Sequence, residues 1–63
     1  MMPTFPTLDR PISEDRFERI IEKIIDHVDL LFIGDLITKF MYDKWFADLK
    51  NWEKGLRESH MIR

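Results

Sequence analysis

The chain has 63 residues, with ten basic and twelve acidic side chains, a formal net charge of −2 and no cysteine. So short a chain holds one domain, which excludes the large catalytic architectures, and without cysteine there is no disulfide framework, thiolate zinc site or dithiol redox motif. Apolar residues at 44% and charged residues at 35% describe a globular chain, and the lack of cysteine fits the cytoplasm best.

Residues 1–12 carry Pro3, Pro6 and Pro11. Each proline fixes its own φ and pushes the residue before it out of the helical region, so this segment reads as an extended Pro-rich arm. Phe5 and Leu8 give it apolar groups to lay across a helix or a neighbouring subunit; the competing reading is a frayed terminus. It has neither a basic leader nor a continuous apolar stretch, so no export signal is expected.

A single helical domain is predicted over 13–63, with helices at about 13–32 and 35–57. Ser13 is a preferred N-cap, and Glu14 and Asp15 sit where the helix dipole favours negative charge. Arg16 occupies the position from which a glutamate would complete a capping box. Phe17, Ile21, Ile24, Val28 and Leu31 then recur in steps of four and three, with Ile20, Ile25 and Phe32 widening the stripe. Glu18, Glu22, Asp26 and Asp29 gather on the opposite side, laced with Arg19 and Lys23.

The stripe loses phase after Phe32, where Gly34 precedes Asp35. Glycine suits the left-handed residue that closes a helix and Asp can cap the next, so a sharp corner is expected at 33–35. One continuous helix with Gly34 inside it is the rival. Beyond the corner Ile37, Met41, Trp45, Leu49, Trp52 and Leu56 form a second stripe, and Gly55 weakens the last turns. The tail after Arg57 is short and polar apart from Met61 and Ile62, and no strand signal is present. The apolar stretch 28–41 is interrupted by charge and too short to cross a membrane.

Eight of the 63 residues are aromatic, more large apolar surface than two helices hide in a single copy. A chain of this size buries only about 60% of its unfolded surface, so self-association is the expected remedy. The fold class is therefore all-α: a two-helix hairpin or angled pair with a Pro-rich arm, completed as a homo-oligomer resembling a four-helix-bundle dimer.

Chemistry-bearing patterns are sparse. Glu22, Asp26 and Asp29 share a face beside His27, but a helical metal cage needs ligands converging from several helices, so no metal is expected. The two serines and two glycines stand apart, with no nucleophile triad and no phosphate loop, so no enzyme and no cofactor are expected. Residues 35–57 interleave Lys39, Lys44, Lys50, Lys54 and Arg57 with aromatic rings, a pattern that can stack bases and neutralise phosphates. The basic excess over 35–63 is only six against five, a weak footprint for nucleic acid.

Three large apolar residues fall off the stripes: Phe46 among Lys39, Asp43 and Lys50, Leu30 on the polar side of the first helix, and Tyr42 at the border of the second stripe. Together they indicate a second burial surface. The candidate partner-binding set is accordingly Phe46, Tyr42, Leu30, Glu18, Glu22, Asp26 and Asp29. The function expected is a small non-enzymatic interaction module of adaptor, regulator or inhibitor type, binding itself and another protein. Nucleic-acid binding through 35–57, and a place as a helical subunit of a larger assembly, are the alternatives.

Overall fold

The computed structural model describes residues 2–63, in which two antiparallel α-helices form a hairpin and no strand is present among the described residues. Helix α1 spans Glu14–Ile33 and helix α2 spans Lys39–Glu58. Both start on a hydroxyl cap. Ser13 Oγ accepts the Arg16 N–H at 3.2 Å, and Thr38 Oγ1 accepts the Met41 N–H at the same distance. The second helix thus begins four residues later than its periodicity suggests, because Thr38 rather than Asp35 satisfies its free N–H groups.

The corner is real, and the long single helix is not. Its closing residue differs from expectation: Gly34 has φ −82°, while Asp35 takes the left-handed conformation at φ 58°. With Asp35 turned, its N–H donates to Phe32 O at 3.1 Å and the Leu36 N–H donates to Leu31 O at 2.9 Å, the paired bonds of a Schellman stop. Helix α2 ends the same way. His60 has φ 59°, its N–H donates to Arg57 O, and the Met61 N–H donates to Leu56 O at 2.8 Å. In both stops the left-handed residue is polar, and the nearby glycines are not the hinge.

The core runs along the seam between the helices: Phe17, Val28 and Leu31 from α1, Trp45 and Leu49 from α2, and Ile37 from the connection. Residues 2–12 form no helix, and Phe5 lies stacked between Trp45 and Trp52 at ring separations of 5.4 and 5.3 Å. Trp45 Nε1–H, buried with its ring, donates to Pro3 O at 3.1 Å. An indole needs such a partner once it leaves water, and here the N-terminal segment supplies it.

The two ends of the chain also meet. The Ile12 N–H donates to Met61 O and the Arg63 N–H donates to Ile12 O, each at 2.9 Å, which makes a one-residue parallel bridge between Ile12 and Ile62. Beside it Arg57 grips Glu14 through both terminal nitrogens at 2.7 and 3.1 Å. The tail therefore has a structural task that its polarity hides.

Candidate interaction surfaces

Seven of the eight aromatic rings join into one continuous row. It runs Phe32–Tyr42–Phe46–Trp45–Phe5–Trp52–Phe17, with neighbouring centroids 4.6 to 5.4 Å apart. This changes the role of Phe46. Its ring does not stand free among lysines but is half-buried, tilted against Tyr42 and edge-on to Trp45. Extrapolation on a helical wheel misses this because Phe46 lies beside the stripe and Tyr42 and Trp45 reach across to it. The row also engages the rings that could stack bases; on α2 only Phe40, 77% exposed, stands outside it.

Tyr42 is likewise half-buried, and its hydroxyl donates to Asp29 Oδ1 at 2.7 Å. That hydrogen bond, then burial and the nearby charges of Asp29 and Asp43, raise the phenol above its ordinary pKa. Asp29 thus ties α1 to α2, whereas Glu18, Glu22 and Asp26 are exposed. Leu30 lies exposed, as its position on the polar side suggests.

Two charged flanks divide α1. Glu14, Glu18 and Glu22 line a groove of about 270 Å³ together with Phe17, Ile21 and, from α2, Glu53 and Arg57. Arg57 donates its Nε–H to Glu53 at 3.0 Å besides holding Glu14, and it sits 6.0 Å above the Phe17 ring. Hydrogen bonding to Arg57 holds the Glu14 carboxyl below its ordinary range, and the two glutamates raise the guanidinium further above its own. Arg57 is therefore committed to carboxylates and leaves the basic set of α2. On the other flank Arg16, Arg19 and Lys23 line a separate depression with Ser13, Asp15 and Ile20. Arg19 and Lys23 consequently do not lace the acidic face; they form their own basic edge. Glu53 is the acidic-groove residue that reading one helix at a time misses, since only the hairpin brings it opposite Glu18.

A third surface lies at the corner. Among the described residues Leu30, Phe32, Ile33, Leu36, Phe40 and Met41 are the large apolar side chains left exposed, and all fall within residues 30–41. Four of them are more than 60% open: Leu30, Ile33, Leu36 and Phe40. Among the described residues no helix is long and apolar enough to cross a membrane, and no group of three His, Asp or Glu side chains is placed to hold a metal ion. In comparisons with known proteins, no family model, no curated protein and no solved structure matches the chain.

Proposed function

We propose that the chain is a small non-enzymatic interaction module of adaptor, regulator or inhibitor type, which works in the cytoplasm as a homo-oligomer and captures a basic protein segment. The observation that carries this reading is the segregation of charge on α1. Glu18 and Glu22 open onto one groove with Glu53, while Arg16, Arg19 and Lys23 are gathered on the other flank. With four carboxylates against the single Arg57, itself paired to Glu14 and Glu53, the groove is net negative and attracts a segment of opposite sign, and Phe17 and Ile21 within it offer contact to the aliphatic stems of lysine or arginine.

The test is a titration of the whole chain with an arginine-rich peptide of about twelve residues, alongside a single-stranded oligonucleotide of similar length. The peptide is expected to bind and the oligonucleotide not. Combined Glu18→Gln, Glu22→Gln and Asp26→Asn substitutions are expected to weaken peptide binding at least tenfold, about 1.4 kcal/mol, with helicity unchanged. Oligonucleotide binding that falls steeply with salt transfers the function to nucleic acid. Peptide binding indifferent to the three substitutions removes the acidic flank from it.

A further inference from the structure

We infer that the exposed apolar corner, residues 30–41, is the surface through which two copies of this chain associate. The inference deepens the homo-oligomeric part of the proposed function and rests on it.

Shape and area argue first. The radius of gyration is 12.5 Å and the extents are 36 × 18 × 15 Å, against roughly 10.6 Å for a compact chain of this length. The accessible surface is 4919 Å², about 600 Å² above the roughly 4,300 Å² expected for a monomer of this mass. That excess is close to the ~800 Å² per partner that a standard interface hides. The uncovered apolar residues are not scattered along the 36 Å length but confined to one end.

Charge then selects the occupant. Between residues 26 and 44 stand Asp26, Asp29, Asp35 and Asp43 against Lys39 and Lys44. A net acidic rim opposes docking to an anionic lipid surface, which favours lysine and arginine around an inserted apolar tip. A rim carrying both signs is self-complementary about a two-fold axis: Lys39 and Lys44 of each copy can meet the aspartates of the other. The opposite end offers no comparable surface, since the Ile12–Ile62 bridge and the Glu14–Arg57 pair close it.

Sedimentation equilibrium of the full chain tests this, comparing wild type with Leu36→Glu and Phe40→Glu, both at exposed positions. The expected result is a wild-type dimer at micromolar concentration and a rise of about thirtyfold or more in its dissociation constant for each variant, with unchanged circular dichroism. A cross-link keeps the question answerable should either variant unfold. The chain has no cysteine, so Leu36→Cys can oxidise only between copies and is expected to yield a covalent dimer, while Gly55→Cys, far from the corner, is expected to yield little. Dimers that persist in both glutamate variants, with no Leu36→Cys cross-link, overturn the corner as the interface and leave the oligomer intact. A wild type that stays monomeric throughout overturns both the interface and the oligomer. Flotation of the monomer with phosphatidylcholine vesicles, lost in Phe40→Glu, assigns the corner to lipid and overturns the inference.

Discussion

The two ends of the hairpin are finished in opposite ways. At the end where the chain termini meet, a backbone bridge, a forked Arg57–Glu14 pair and the Glu53 contact tie four segments together. At the corner, the polypeptide turns on a Schellman stop and leaves Leu30, Ile33, Leu36 and Phe40 in water. One end closes its polar groups on itself; the other leaves its apolar groups without partners. A domain this small gains from every contact it can make, and the apolar surface left open at one end is the feature that the proposed association of two copies would cover.

The largest effect that sharpens this contrast lies between the ends. Trp45 is 5% exposed, stacks on Phe5, meets Phe46 edge-on, and donates to Pro3 O. Trp45→Ala is expected to cost about 3–5 kcal/mol in urea unfolding followed by circular dichroism, enough to unfold a marginal domain outright. Phe40→Ala, at the open corner, is expected to change the stability of the monomer by less than about 0.5 kcal/mol. Equal losses at the two positions would show that the corner is packed and the contrast false.

Phe46→Ala falls between them. A half-buried ring in contact with Tyr42 and Trp45 contributes about 1–2 kcal/mol, part of the value for full burial plus the aromatic contacts. The same unfolding experiment reads it, and a cost as large as that of Trp45→Ala would place Phe46 in the core proper.

Local sequence signals make the hairpin legible, and cross-chain contacts account for what they miss. Ser13, the two apolar stripes and the loss of phase after Phe32 locate both helices and the corner. Thr38 as the second N-cap is hidden because Asp35 is an equally acceptable cap one turn earlier. Gly34 draws attention as the left-handed residue, yet the stop places that conformation one residue later, and aspartate tolerates it. The exposed acids Glu18, Glu22 and Asp26 and the exposed Leu30 are visible from helical phase alone. The links of the aromatic row outside α2, the Glu53 side of the acidic groove and the Ile12–Ile62 bridge join residues 10 to 50 positions apart, and no spacing within one helix encodes them.

The corner itself gives a smaller effect of opposite sign. Asp35 holds φ 58°, a conformation that glycine adopts without the steric cost of a Cβ. Asp35→Gly is expected to raise stability by about 0.5–1 kcal/mol, a modest part of the left-handed penalty once the entropy of an added glycine is set against it. Gly34 already has a φ that alanine accepts, but an added Cβ would lie 3.3 Å from Leu30 O. Gly34→Ala should therefore shift stability by no more than about 0.5 kcal/mol, the reduced freedom of the unfolded chain offsetting that close contact. Loss on Asp35→Gly together with a large loss on Gly34→Ala would return the left-handed role to the glycine.

The smallest effect probes the one side-chain hydrogen bond that joins the helices near the corner among the described residues, Tyr42 to Asp29. Tyr42 is the only tyrosine, so absorbance at the phenolate band titrates this single contact. The hydrogen bond to Asp29, with burial and charge adding to it, favours the neutral phenol and places its midpoint above the ordinary 10.0. A folded-state value raised above the unfolded one means the stabilisation is complete below pH 10 and disappears as pH rises through the folded midpoint. Lysines titrate in the same range, so the comparison that isolates the pair is wild type against Asp29→Asn. The variant keeps an oxygen that can accept but removes the charge, and its phenol midpoint is expected to move back toward 10.0 while its unfolding becomes less sensitive to alkali. At the closed end the matching experiment runs in acid. Hydrogen bonding to Arg57 lowers the Glu14 carboxyl, so that contribution is complete above the ordinary 4.5 and lost as pH falls below it. If Asp29→Asn leaves the phenol midpoint where it was, the hydroxyl is free in solution and the corner half of the hairpin is held by apolar contact alone, which would make the two ends more unlike than the structure draws them.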